Sequence, residues 1–219
     1  MSVRPQNEEE LQKREAIGVI RASRFIRKYA HSHKPITFAT VREIHKEIFK
    51  DAWPEIAGKY RDEEIKITGS HHLPPHHTRI LAEIETAEPE LAGRLIKLSV
   101  AEGWLFNPKN ITDKTMEIID GIIETAAWLH HKTTHIHPFR EGNGRTARLA
   151  ANLILERYGL VGISIRIEKE NKNRYRQALA QIDKENDFEP LESLIYDGLI
   201  ERYDGVALRY YECGARFGK

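Results

Sequence analysis

Two apolar runs of helical period, joined by a glycine-containing stretch, constrain this chain more than any other feature. The first passes from Thr112 through Met116, Ile119, Ile122, Ile123 and Ala127 to Leu129; the second is LAANLILERYG, from Leu149. Apolar residues three and four apart share one helix face, so each run predicts a helix with a buried stripe. Between them lies HPFREGNGRTAR, His137 to Arg148. Arg145 and Arg148 stand where the second helix should begin, an end whose backbone dipole is already positive. Cations there are penalised by a few tenths to about 1 kcal/mol each, so their presence calls for a compensating anion.

The same period recurs elsewhere. Asn7 followed by Glu8, Glu9 and Glu10 reads as a helix start, with Glu10 placed as a capping-box acid. Leu11, Ile17, Ile20, Phe25, Ile26 and Tyr29 extend that helix to about Ala30. After a break at Pro35, a second helix is expected from about Thr40 through Ile44 to Phe49, and others over about Glu88–Leu105, Asn171–Ile182 and Pro190–Ile200. One segment, Gly58 to Ile80, departs from this rhythm. Its Glu64-Ile65-Lys66-Ile67-Thr68 alternates as a short strand does, and Gly69-Ser70 supplies a turn. Ile163, Ile165 and Ile167 alternate briefly as well. The expected fold is mainly α with one short β excursion. It divides into a helical arm over 1–35, a core over 36–203, and a terminal helix or tail over 204–219.

Charge and composition exclude several classes. A formal net charge of +1 supplies no global field, so neither nucleic acid nor an anionic membrane is an expected partner. Cys213 is the only cysteine, which removes disulfide frameworks and multi-cysteine metal sites. The N-terminal MSVRPQNEEELQKRE has no apolar signal core, and no apolar run approaches the roughly 18 residues of a membrane span. A cytoplasmic protein is expected.

HPFREGNGRTAR reads as a loop that opens a helix. Gly142 and Gly144 allow backbone angles that other residues resist and let a ligand approach the main chain. A loop ending at a helix N-terminus aims free N–H groups at one point, a ready anion site. Arg145 and Arg148, three apart, share a helix face, and a polyphosphate would justify both. Glu141 beside such a site suits Mg²⁺, which bridges one or two carboxylates to phosphate oxygens. His137 is placed as general base for a hydroxyl attacking phosphorus. Ile136 and Phe139 look like apolar anchors for the loop.

The stretch resembles the Fic family signature, HxFx(D/E)GNGRxxR, with every specified position filled. GKYRDEEIKITGSHHLPPHHTRI resembles the family's β-hairpin flap region, and ENKNRYRQALAQIDKENDFEPLESLI its downstream helices, so the resemblance spans roughly residues 40–200. It implies a Fic-type helical bundle with a short β-hairpin flap, and AMP transfer from ATP, with Mg²⁺, to a Ser, Thr or Tyr hydroxyl of a target protein. By that carry-over His137 deprotonates the hydroxyl and Glu141 holds Mg²⁺. Gly142, Asn143 and Gly144 shape the anion hole, with Asn143 supporting the α-phosphate. Arg145 contacts the β-phosphate and Arg148 the γ-phosphate, and Phe139 joins the nucleotide-binding set. The target would dock at the flap, about Lys66 to His72. Relatives resembling Doc, which transfer the γ-phosphate, carry a basic residue where Gly144 stands here, so the glycine favours nucleotidyl transfer. AMP removal, another nucleotide, and a non-catalytic nucleotide-binding module are the alternatives.

Many Fic proteins carry an inhibitory (S/T)xxxE(G/N) helix whose glutamate pairs with the last signature arginine. No full match occurs here. Ser193–Gly198 has Asp197 in place of the acid, Ser2–Asn7 has Gln6, and Thr86–Leu91 has Glu90 without the following Gly or Asn. Asp197 is expected to be an ordinary helix residue. Restraint is then expected from a separate antitoxin-like inhibitor protein or from an acid the pattern does not reveal. The histidines also raise a metal reading. His131 and His135 have i,i+4 spacing but lack the glutamate of HExxH, so a zinc hydrolase is not expected. His71 and His72 are expected to line the target groove, and Trp53, Trp104 and Trp128 to pack.

Overall fold

The computed structural model describes residues 4–70, 72–99, 113–164 and 170–214. Among them are α1 (Glu8–Ala30), α2 (Phe38–Phe49), α3 (Ile80–Leu98), α4 (Asp113–Ile136), α5 (Asn143–Arg157), α6 (Glu170–Glu185) and α7 (Glu189–Gly214). A single 3-10 turn, His77–Arg79, leads into α3. None of the described helices is long and apolar enough to cross a membrane.

α1 starts at the expected place, with the Asn7 side chain accepting from the N–H groups of Glu9 and Glu10, but Glu10 pairs with Arg14 at 2.8 Å and does not act as the expected capping-box acid. The buried stripe of α1 differs as well. Leu11, Gly18, Ala22, Ile26 and Ala30 face inward, whereas Ile17 and Ile20 are exposed. Small residues on that stripe let α1 lie close against α2. A Cβ on Gly18 would fall 1.8 Å from the Ile48 carbonyl oxygen, so no side chain fits there. α1, assigned to an arm from sequence, packs on both α2 and α5 and contributes to the one hydrophobic core.

α4 and α5 stand at the centre and pack on each other, with α1 and α2 against α5 and α3, α6 and α7 against α4. Ala147, Ala150, Ala151, Leu153, Ile154 and Leu155 are all buried, so α5 is covered on nearly every side, as a central helix must be. Burying each Leu or Ile there contributes about 1.5–3 kcal/mol.

Two local expectations shift. α3 begins at Ile80 rather than near Glu88, so Pro89 lies inside it and not in its first turn. The proline removes one helical hydrogen bond. Ile80, Ile84, Ala87, Leu91 and Leu98 nevertheless form one buried stripe across it. Glu88 receives the Phe38 N–H at 3.1 Å, placing a carboxylate at the N-terminus of α2 where the dipole favours it. The expected β-hairpin is also absent among the described residues: 64–68 has no strand partner. Alternation marks an extended segment but cannot supply a ladder. Only the turn remains, with Gly69 at φ 73° and Ser70 N–H donating to the Ile67 carbonyl. Side chains hold the segment instead, Arg176 bonding the Thr68 carbonyl at 3.0 Å. The expected helix after Leu98, and Ile165, Ile167, Trp104 and His71, lie outside the described residues.

Candidate active site

The loop between α4 and α5 is held by its own atoms and by two side chains from elsewhere. Asn143 is buried, with its Oδ1 accepting from Phe139 N–H at 2.9 Å and its Nδ2 donating to the Phe139 carbonyl at 2.7 Å. Those bonds tie Asn143 to shaping the loop. Phe139 is fully buried and stacks on His45 with ring centroids 3.9 Å apart. The anchor reading of Phe139 therefore stands. Its place among nucleotide contacts does not, because no ring surface is left for a ligand.

His45 completes the clamp. Its Nε2 lies 3.0 Å from the Glu141 carbonyl and its Nδ1 accepts from Gly58 N–H at 3.0 Å. Burial pushes His45 down to about 4, with the Glu141 hydrogen bond opposing, so it is neutral and serves one donor and one acceptor. Gly142 then turns the chain into α5 at φ 78°. A Cβ there would meet the Phe49 ring at 2.3 Å.

On the other side stands Arg61, only 4% exposed. Its Nε donates to the His137 carbonyl at 2.9 Å, its two terminal nitrogens donate to the Glu63 and Pro75 carbonyls, and its N–H reaches the Pro138 carbonyl. One guanidinium thus joins the extended segment to the loop. His137 itself takes a left-handed backbone, φ 50°. Its Nδ1 donates to the Thr134 carbonyl at 3.1 Å, leaving Nε2 with the lone pair. Burial brings His137 to about 4, the Thr134 bond opposing, so the ring is neutral at neutral pH and can accept a proton.

The two arginines differ sharply. Arg145 is neutralised within the protein: Nη1 lies 2.7 Å from Glu15 Oε2 of α1 and Nη2 lies 3.3 Å from Glu141 Oε1. Glu141 is exposed, and the same Oε1 also accepts from Gly142 N–H. Arg148 has no carboxylate partner among the described residues. Burial lowers its proton affinity, and Tyr175, hydrogen-bonded to it, opposes that effect. The Tyr175 hydroxyl is bonded in turn to His130 Nε2 at 2.7 Å. Burial pushes Tyr175 up to about 12 and His130 down to about 3, so both are neutral. Arg148 is therefore a half-buried cation oriented by uncharged groups. Burying such a charge without an anion is costly, and the site gains by receiving one.

A cavity of about 240 Å³ opens beside this point, lined by His137, Gly144, Tyr175, Thr68, Ser70 and His72 among others. Gly144 matters to it because Arg148 Nη1 comes within 3.4 Å of where a Cβ would stand. The structure thus gathers His137, Gly144 and Tyr175 around one space, with Ile67, Thr68, Ser70 and His72 also lining it, and Arg148 reaches its edge only through Gly144 and Tyr175. Glu141 and Arg145 do not line that cavity. Of the acids considered as brakes, Asp197 pairs with Arg174 at 2.8 Å and Glu90 with Arg94 at 3.1 Å; neither is on Arg148. Glu15, His45, Arg61 and Tyr175 were not singled out from sequence. Each reaches the motif from a distant element, and no local pattern marks it.

A family model described as the Fic/DOC family matches residues 35–155. A protein adenylyltransferase Fic from Nematostella vectensis is 31% identical over 172 residues, covering 78% of this chain and 34% of that protein. One of the same name from Culex quinquefasciatus is 30% identical over 162 residues, covering 74% and 27%. The chain thus spans about a third or less of the length of these curated relatives. In fold it is similar to Fic-1 (residues 134–508) from C. elegans, with a TM-score of 0.65, 24% identity, and coverage of 96% of this chain and 56% of that one.

Proposed function

The chain belongs to the Fic/DOC family, and from that premise we propose that it transfers AMP from ATP to a Ser, Thr or Tyr hydroxyl of a target protein. Arg148 carries this reading: it is a half-buried cation in the second turn of α5, without a carboxylate partner among the described residues and hydrogen-bonded to neutral Tyr175, while His137 on the adjoining loop keeps a free Nε2 lone pair. The name shared by the curated relatives supports AMP as the group transferred.

In this mechanism the triphosphate settles against the first turn of α5. Arg148 replaces its missing anion with a phosphate, and Arg145 turns from Glu15 and Glu141 toward another. The target hydroxyl oxygen attacks the α-phosphorus as its proton passes to His137 Nε2. The bond from the α-phosphorus to the bridging oxygen breaks, and pyrophosphate leaves with its charge held by the arginines. Such transfers depend mainly on positioning and charge stabilisation. Thr134 fixes the His137 ring so that the correct nitrogen faces the hydroxyl. Asn143 acts by holding the loop.

Glu141 fits a magnesium ion. It is exposed, and its Oε2 has no protein partner among the described residues, while Oε1 is fixed by Gly142 and Arg145. Bound there, Mg²⁺ would offset negative charge on the phosphates. The target is proposed to dock along 66–72, whose Ile67, Thr68, Ser70 and His72 wall the cavity opposite His137. A separate inhibitor protein is proposed as the source of any acid on Arg148, and the cytoplasm as the compartment.

The test compares wild type with His137→Ala using α-labelled and γ-labelled ATP. Protein label from the α position only, lost in the variant, is expected. Transfer of γ-label would overturn AMP transfer.

A further inference from the structure

Four histidine and aspartate side chains, His72, His131, His135 and Asp183, meet in the lining of the cavity. Asp183 of α6 is the centre. Its Oδ1 lies 2.7 Å from His135 Nδ1 and 2.9 Å from His131 Nε2, both on α4, and its Oδ2 lies 3.7 Å from His72 Nδ1 on the extended segment. Ligand atoms of His72, His135 and Asp183 all fall within 4.8 Å of one another. We propose that His72, His135 and Asp183 form a binding site for a divalent transition metal of the zinc class, which fastens the extended segment to α4 and α6.

Donor spacing supports a metal. A tetrahedral ion with bonds of about 2.0–2.1 Å holds its ligands roughly 3.3 Å apart. The 2.7 Å from His135 Nδ1 to Asp183 Oδ1 and the 3.7 Å from His72 Nδ1 to Asp183 Oδ2 lie on either side of that value, with all three ligand atoms within 4.8 Å, so side-chain adjustment alone brings them onto one ion. Orientation supports it too. His72 Nε2 bonds the His135 carbonyl at 2.8 Å, which fixes that nitrogen as the N–H and leaves the Nδ1 lone pair toward Asp183. Histidine ligands are commonly set this way, by a carbonyl on the other ring nitrogen, and ligating carboxylates are commonly hydrogen-bonded themselves. His131 supplies that second bond to Asp183.

Binding at His135 Nδ1 displaces the proton that this nitrogen shares with Asp183 Oδ1. Arg176, a cation on the same cavity wall, is engaged by the Thr68 carbonyl. Two imidazoles and one carboxylate suit Zn²⁺, Co²⁺ or Ni²⁺ rather than Mg²⁺, so this site is chemically distinct from Glu141. A second group on the same segment, Glu64, His76 and His77, is more exposed, with Glu64 and His76 more than half open to solvent, and serves as the control.

The experiment is a Co²⁺ titration of the full chain without ATP, followed by the visible absorption of tetrahedral cobalt. One Co²⁺ per chain is expected, displaced by Zn²⁺ and indifferent to excess Mg²⁺. Asp183→Asn and His72→Gln should each weaken binding by at least about 100-fold, while His76→Gln leaves it intact. Zn²⁺ should raise the melting temperature of wild type and not of either weakened variant. Circular dichroism of the chelated proteins checks folding. If Asp183→Asn fails to fold, His72→Gln decides. Absence of cobalt binding to wild type, or binding that both variants retain, would overturn the proposal and leave a hydrogen-bonded clasp.

Discussion

Replacing Glu15 with glutamine should make this chain bind ATP more tightly. The Glu15 carboxylate sits 2.7 Å from Arg145 with its side chain 16% exposed, and Glu141 takes another edge of the same guanidinium. Two carboxylates on one arginine leave that corner with a net negative charge. An incoming phosphate must both displace Glu15 and tolerate its charge nearby. At an effective dielectric of about 20, two unit charges roughly 6 Å apart repel by about 3 kcal/mol. Partial exposure and salt remove much of that, and about 1–1.4 kcal/mol is left to the binding equilibrium. Glu15→Gln keeps the shape, removes the charge, and should therefore tighten ATP by about fivefold to tenfold.

Calorimetric titration with ATP and Mg²⁺ measures this directly, with His137→Ala as background to prevent turnover. Glu10→Gln on the same helix is the control, since Glu10 pairs with Arg14 and not with the loop. A fivefold to tenfold gain confined to Glu15→Gln is the expected result. Unchanged affinity would show that Glu15 does not compete for Arg145. Weaker affinity would show the reverse role, Glu15 holding Arg145 where phosphate needs it. Either outcome refutes the reasoning.

Arg61→Met should destabilise the chain by about 2–4 kcal/mol in urea unfolding, since several carbonyls, those of His137 and Pro75 among them, lose their shared donor. Gly142→Ala should cost about 1–3 kcal/mol through its left-handed backbone alone, and more from the Phe49 ring 2.3 Å from the new Cβ; loss of ATP binding in calorimetry should accompany it. Phe139→Ala should cost about 3–5 kcal/mol in the same unfolding assay, as for other fully buried aromatics. Stability should fall with acid through the buried histidines, which together outweigh Glu156, whose carboxyl burial raises to about 6 and which acts in the opposite sense. His45, His131 and His137 lie near 4 and His130 near 3 when folded, against 6.5 unfolded. The unfolded chain thus binds more protons over that window, so unfolding free energy should be full above about 6.5 and decline as pH falls toward 4. Denaturant midpoints at successive pH values check it, and a midpoint that held or rose on acidification would contradict the assignment.

The motif was readable because its information is local. His137, Glu141, Gly142, Gly144, Arg145 and Arg148 lie within twelve positions, and one loop plus one helix turn is enough to bring them together. Helix existence was readable for a similar reason, since the 3.6-residue period repeats within each segment. Errors arose where a local pattern had two physical solutions. Pro89 suits a first turn, and it also sits inside α3 because the buried stripe from Ile80 to Leu98 outweighs one lost hydrogen bond. Ile17 and Ile20 fit a helical period, but close approach to α2 requires the small face at Gly18 and Ala22 instead. The alternation at 64–68 described a conformation, whereas a strand is a partnership.

What sequence did not reveal about the site has a common cause. Glu15 meets Arg145 across 130 positions, His45 meets Glu141 across 96, Arg61 meets His137 across 76, and Asp183 meets His135 across 48. These side chains decide how the motif behaves, yet none belongs to it. They also explain why Arg145 and Arg148, alike in the sequence, are unlike in the molecule. Arg145 is reached by α1, whose small-residue face brings it onto α2 and α5 and Glu15 onto the arginine; Arg148 is reached by α6, which brings the neutral Tyr175. One arginine is therefore occupied and the other is waiting. Any partner or substitution that lifts α1 from α5 should take Glu15 from the first, leaving it only Glu141, without touching the second.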